Sequence, residues 1–302
     1  MTTAFADTMT TAGTETDSEL REGFADVGDV TLHYVEAGNG PLVVLLHGFP
    51  EFWFGWRLQI AALAEAGFRV VAPDMRGYNL SSRPHGISKY SAAKVADDIH
   101  GLIHALGADS AQVVGHDWGG TVAWTLSMNH PEDVDRLVIL DAAHPRKLQK
   151  GLFAPRQLLR SWYFFFFALP WLPERVVRAK RFRFFQRFLR DARPAYTPEE
   201  IDRYVEAWSQ PGALTGMIDY YRYSVFTPPW KAWNAIKTVT APTLVIWGGR
   251  DRYLGPKLAE PEHHDVPNLD RVVRLANASH WVHHDESERV NELLVDFFTR
   301  VD

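Results

Sequence analysis

Asp117 stands at the centre of Gly115-His116-Asp117-Trp118-Gly119, between a strand-like run, Ala111 to Val114, and a helix-like run, Thr121 to Met128. Glycines around a central residue let the backbone close a strand-to-helix turn so tightly that the central side chain is strained and exposed. Ser is the usual occupant of such a turn, and Asp changes what can be attacked. A carboxylate adding to a saturated, electrophilic carbon gives an alkyl ester that water can cleave, whereas a serine would give an inert ether. The residue type therefore points to hydrolysis of epoxides or alkyl halides. A plain helix cap could also carry an Asp here, so the reading depends on partners.

A catalytic turn of this kind is followed along the chain by an acid and then a histidine. Thr243 to Asp251, TLVIWGGRD, reads as a buried strand running into a loop with Asp251, and Ala278 to Trp281, ASHW, carries His280 after the last strand-like run. His280 is expected to activate the water that cleaves the ester, with Asp251 orienting the ring and stabilising its charged form. Asp251 also lies between Arg250 and Arg252, where a surface ion pair is the simpler expectation. Asp141, ending VILD, is a rival acid, and His283 and His284 are rival bases. Leu46 to Pro50, LHGFP, falls at another strand end, so the backbone N–H groups of Phe49 and Trp118 are assigned to the oxyanion hole. His47 and His116 are read as structural, and Asp74 as turn chemistry.

The elements that must position these groups follow from hydrophobic spacing. Short β-branched and aliphatic runs at Thr31 to Glu36, Leu42 to His47, Arg69 to Ala72, Ala111 to Val114, Leu137 to Leu140, Thr243 to Trp247 and Val272 to Leu275 alternate with helical patterns. That alternation predicts an α/β fold with a mostly parallel sheet flanked by helices. Val95, Ile99, Leu102, Ile103 and Leu106 share one helical face. Residues 145–230 switch to an all-helical, Arg- and aromatic-rich text, read as an inserted cap. The core is expected to comprise 21–144 and 231–302, with 1–20 a disordered tail.

The bulk composition excludes several classes. The 302 residues are 46% hydrophobic with a net charge of −5, which gives no global field for nucleic acid. With no cysteine there are no disulfides, thiolate nucleophiles or thiolate zinc sites, which fits a cytoplasmic location. Ser161 to Leu172, the most apolar run, is too short to span a bilayer, so no integral membrane segment is expected. Adjacent His263-His264 and His283-His284 share no helix face, and no HExxH or phosphate loop occurs, so no metal or cofactor is expected.

HGFPEFWFGWRLQI at His47 to Ile60, PDMRGYNLSS at Pro73 to Ser82 and GHDWGG at Gly115 to Gly120 together resemble the soluble epoxide hydrolase family of the α/β-hydrolase fold, over roughly Gly23 to the C-terminus. The resemblance implies conversion of an epoxide and water to a vicinal diol, with ring opening assisted by two cap tyrosines. SWYFFFFALP supplies Tyr163 and DYYR supplies Tyr221, while Tyr220, Tyr223 and Phe164 to Phe167 are read as packing. A phenol suits the task because it stays protonated at neutral pH. Members of the family often carry Asn where this chain has Asp141.

Haloalkane dehalogenases share the turn but need side-chain N–H donors for halide; Phe49 cannot donate, which leaves Trp118 and Trp162. A haloacid enzyme would want Arg beside the nucleophile, where Trp118 stands. A non-catalytic small-molecule receptor of the same fold is a reading from a different class, and the intact triad argues against it. Arg175 to Arg193, dense in Arg, could serve as a nucleic-acid or membrane surface, but with Phe182, Phe184, Phe185, Phe188 and Leu189 interleaved it reads as an amphipathic cap helix with a solvated basic face. The expected partner is a small apolar epoxide, and a homodimer is left open.

Overall fold

In the computed structural model, residues 19–152, 154–228 and 235–300 are described. Eight strands, β1 (Arg21–Val27), β2 (Val30–Ala37), β3 (Leu42–Leu46), β4 (Arg69–Pro73), β5 (Ala111–His116), β6 (Val134–Leu140), β7 (Thr243–Gly248) and β8 (Leu269–Leu275), form one sheet in the order β1-β2-β4-β3-β5-β6-β7-β8. β1 and β2 run antiparallel to their neighbours and every other pairing is parallel. β3 and β7 are buried along their whole length, as strands covered on both faces must be.

Helices α1 (Arg57–Glu65), α2 (Ala92–Ala105) and α3 (Trp118–Asn129) connect the strands, and α10 (Val282–Asp285) and α11 (Ser287–Thr299) close the chain. α2 packs on α3, and α1 on α11. The face of α2 expected from Val95, Ile99, Leu102 and Ile103 is buried. Register aligns Leu46 of β3 with Gly115 of β5, Gly115 with Ile139 of β6, and Leu140 with Ile246 of β7. The loops after these strands therefore open at one edge of the sheet, where a parallel fold places its chemistry.

Between β6 and β7 the described residues form six helices: α4 (Pro145–Leu152), α5 (Pro155–Arg160), α6 (Trp162–Ala168), α7 (Leu172–Leu189), α8 (Pro198–Ser209) and α9 (Ala213–Phe226). α6 packs against α9. α8 begins with a reciprocal cap in which Thr197 Oγ1 accepts from the Glu200 N–H and the Glu200 carboxylate accepts from the Thr197 N–H.

Three features differ from the sequence expectation. β1 was not anticipated, because only Ala25 and Val27 of this edge strand are buried and its alternation is correspondingly weak. β8 begins at Leu269, three residues before the aliphatic run. The expected amphipathic helix over Arg175 to Arg193 is interrupted, since Ala179 is extended and Lys180, Arg181 and Phe182 have positive φ. The interruption turns Phe182 and Phe185 onto Trp208, with ring centroids 5.8 and 5.3 Å away. The proposed tail lies outside the described residues except for its last two positions, as does the 230/231 boundary.

Candidate active site

Asp117 occupies the turn between β5 and α3 with φ 51° and ψ −116°, a conformation that costs a non-glycine residue on the order of 1–3 kcal/mol. Its carbonyl accepts the first helical bond, from the Thr121 N–H at 3.0 Å, but its side chain caps nothing. The carboxylate is thus not consumed by the helix. A Cβ on Gly119 would strike the Leu46 carbonyl, and one on Gly48 would come within 2.5 Å of the Asp117 Cβ, so the turn and the loop after β3 approach this closely only as glycine.

The loop after β3 sends the Phe49 N–H to Asp117 Oδ1, which accepts it at 2.8 Å. The Trp118 N–H, at the start of α3, has no intrahelical carbonyl to bond. Asp117 Oδ2 lies 3.5 Å from His280 Nε2, and His280 Nδ1 lies 2.8 Å from Asp251 Oδ2. Asp251 Oδ1 accepts the N–H groups of Tyr253 and Leu254 at 2.6 and 2.9 Å, so the acid is fixed by its own loop and is not paired with Arg250 or Arg252. Burial pushes the Asp117 carboxyl up, but the bond and charge of His280 outweigh it and hold the group below its ordinary value. Burial would likewise lower His280, yet the Asp251 charge and the Asp117 interaction raise it well above.

Asp141 is fully buried at the end of β6, with Oδ1 accepting the Gly248 N–H at 2.8 Å and Oδ2 without a partner. Burial and the neighbouring Asp251 charge raise its carboxyl well above its ordinary value. His283 and His284 turn elsewhere: His283 Nε2 is 3.3 Å from Glu51, and His284 Nε2 bonds the Pro194 carbonyl at 2.7 Å.

Tyr163 on α6 and Tyr221 on α9 sit above this group with ring centroids 5.8 Å apart. The Tyr221 ring meets Trp118 edge-on at 5.2 Å and Phe49 at 4.8 Å. Burial, with the Asp117 charge adding to it, raises both phenols well above their ordinary value and keeps them protonated. Tyr220 is committed elsewhere, donating its hydroxyl to the Arg76 carbonyl at 2.9 Å.

Residues 41–287 match the family model described as alpha/beta hydrolase fold. The chain is 42% identical over 284 residues to AB hydrolase superfamily protein YfhM of Bacillus subtilis, covering 91% of this chain and 96% of that one. It is 36% identical over 275 residues to human Epoxide hydrolase 4, covering 88% and 75%. The crystal structure of an epoxide hydrolase from Bacillus megaterium in complex with an inhibitor superposes with a TM-score of 0.83 at 30% identity, covering 92% and 100%. The chain belongs to the epoxide hydrolase family of the α/β-hydrolase fold. It is a hydrolase.

Two residues of this hydrolase's site escaped the sequence reading. Glu51 is buried with Oε2 3.1 Å from His116 Nδ1 and Oε1 accepting the Tyr204 hydroxyl at 3.1 Å. Burial opposes its charge, but the His283 charge and the His116 bond overcome this and leave the carboxyl well below its ordinary value. His116 Nε2 in turn lies 2.9 Å from the His280 carbonyl, so this network fixes the backbone of the loop that carries His280. A lone acid inside the apolar run Phe49 to Trp56 was the available signal. Tyr253 is the second, its ring 5.1 Å from His280 and 5.9 Å from Tyr163.

Among the described residues, Glu51–His116–His283, His100–His130–Asp133 and His116–Asp141–His280 each bring three candidate metal-ligand atoms within 4.8 Å of one another. The first group is engaged in the hydrogen bonds just given. No helix among the described residues is long and apolar enough to cross a membrane.

Proposed function

We propose that the protein converts a small, apolar epoxide and water to a vicinal diol through an ester on Asp117. The observation that carries this reading is the unbroken contact path Asp251–His280–Asp117 beneath two protonated phenols. Oδ1 is held by the Phe49 N–H, so Oδ2 is the oxygen that attacks a ring carbon. The carbon–oxygen bond of the ring breaks, and Tyr163 and Tyr221 donate to the departing oxygen. His280 Nε2 then takes a proton from water as the water oxygen adds to the ester carbonyl. The Phe49 and Trp118 N–H groups stabilise the resulting oxyanion. Collapse frees the diol and the carboxylate, and the proton on His280 returns to the phenolate.

Electrostatics support this order of steps. While Asp117 is ionised it helps hold the proton on His280. Esterification removes that negative charge, so the ring gives up its proton more readily and is neutral when a base is required. Asp251, bonded to the ring, is the orienting acid, and Asp141 bonds the Gly248 N–H instead. Asp141→Asn keeps the shape of a side chain that bonds the Gly248 N–H and not the His280 ring, and should lower turnover only a few-fold. Asp251→Asn removes the charge opposite the imidazolium and should lower it by about 10⁴. Steady-state assays giving the opposite ranking would transfer the role to Asp141.

The halide reading needs a second buried N–H donor beside Trp118, and Trp162 is 54% exposed on the outer side of α6. A panel of aryl and alkyl epoxides and haloalkanes, assayed for diol and for free halide, tests the assignment. Diol without halide is expected; halide release with no diol would overturn the epoxide reading.

A further inference from the structure

Leu158, Trp162, Phe165 and Leu169 are spaced by four, three and four residues and form one stripe along α5 and α6. They are 47, 54, 56 and 43% exposed, and Leu159 and Trp171 beside them reach 76 and 68%. The opposite side of the same helices carries buried Gln157, Ser161, Tyr163 and Phe167. Seven of the twelve exposed large hydrophobic residues among those described fall between Leu158 and Val176. A helix pair apolar on both sides has packed only half of its apolar surface, and a clustered apolar patch of this kind marks an interaction site.

The charge around the stripe is equally local. The chain is net −5, yet between Pro145 and Arg190 the sequence has twelve Lys and Arg against Glu174 alone, of which Arg146, Lys147, Lys150 and Arg181 pair with acids from outside this stretch. Arg175, Arg178, Arg183 and Arg187 on α7 are exposed, and none has a carboxylate partner among the described residues. The Trp162 ring lies 6.5 Å from that of Phe184, which puts α6 beside α7, and indole and phenyl groups next to unpaired guanidinium groups match the depth profile of a lipid interface, with rings at the headgroup boundary and cations at the phosphates. A nucleic acid has no use for the apolar stripe, and a second copy docked on it would leave these cations without a counter-charge that the lipid phosphates supply.

We infer that the outer surface of α5, α6 and α7 docks on an anionic phospholipid bilayer. The basic face read from sequence as solvated is, on this account, half of an interface whose apolar half becomes visible only when α5 and α6 are placed beside it. The inference does not depend on the reaction assigned to the inner side.

Flotation of the full chain with vesicles of phosphatidylglycerol and phosphatidylcholine in equal parts, against phosphatidylcholine alone, tests it. The chain should float with the anionic vesicles about tenfold more strongly, and raising salt from about 50 to about 500 mM should release it. Leu159→Glu with Phe165→Glu and Trp171→Ser, and separately Arg175→Glu with Arg178→Glu and Arg183→Glu, should each reduce flotation about tenfold or more, with circular dichroism unchanged. Wild type that stays in solution with both vesicle types, or variants that float as wild type does, would overturn the inference. So would sedimentation velocity showing a dimer that the same substitutions dissociate while wild type binds no vesicles, since the patch would then be a contact between copies.

Discussion

Replacing Tyr163 and Tyr221 together by Phe is expected to leave almost no epoxide opening. An epoxide oxygen departs as a strongly basic alkoxide tethered to the product, so a proton or a strong hydrogen bond must reach it as the ring opens. Both phenols are held protonated by burial and by the Asp117 charge. Phe keeps the edge-on ring packing between the two positions, at 5.8 Å, while removing the hydroxyl. Each single change should slow alkylation of Asp117 by about 10²- to 10⁴-fold, which is the usual contribution of general-acid help. Two hydroxyls sharing one oxygen partly compensate for one another, so the double change should cost more than either single change yet differ from their product. Rapid mixing should place the loss in alkylation and leave hydrolysis of the ester nearly untouched. Wild-type opening rates in all three variants would show that the donors are other groups.

The second large effect is expected from His280→Gln. Attack by Asp117 does not need the imidazole as a base, but water activation does. The variant should therefore form the ester at a rate within about tenfold of wild type and then stall, with turnover lost by about 10³-fold or more. Mass spectrometry should find the chain heavier by one substrate. An unmodified chain during continued slow turnover would remove His280 from this role. In wild type the sign of the pH response follows from the same charges. The Asp251 charge still raises His280 once Asp117 is esterified, and hydrolysis requires the ring neutral, so ester cleavage should quicken as pH rises. Ring opening requires protonated phenols, so it should decline only in strongly alkaline solution, above the ordinary tyrosine value of about 10.

How much of this was legible in the sequence depended on the kind of signal. Gly-His-Asp-Trp-Gly is a local steric pattern, and the mostly parallel sheet follows from short aliphatic runs alternating with helical ones, so fold class and the position of Asp117 could be read directly. The closeness of Asp251 and His280 could be reached only through chain order, because 29 residues separate them and only the strand ends bring them to 2.8 Å. Glu51 left only a faint mark, a lone acid inside an apolar run, because its partners His116, Tyr204 and His283 stand 65, 153 and 232 positions away and come together only in the fold. β1 was missed because an edge strand with few buried residues has little alternation to detect. The break at Ala179 to Phe182 was missed because Arg and Phe at helical spacing are equally compatible with two shorter turns around Trp208.

The central claim is that an oxygen of Asp117, and not an oxygen of water, first reaches the substrate carbon. One turnover with enzyme in excess, run in water enriched in heavy oxygen, tests this most directly. The account predicts that the first diol carries only light oxygen, one atom from the epoxide and one from Asp117, and that heavy oxygen appears in the Asp117 carboxylate, detectable in the peptide spanning the turn. Heavy oxygen in the first diol, with an unlabelled Asp117 peptide, would mean that water attacks the epoxide directly, and the ester on Asp117 would be excluded.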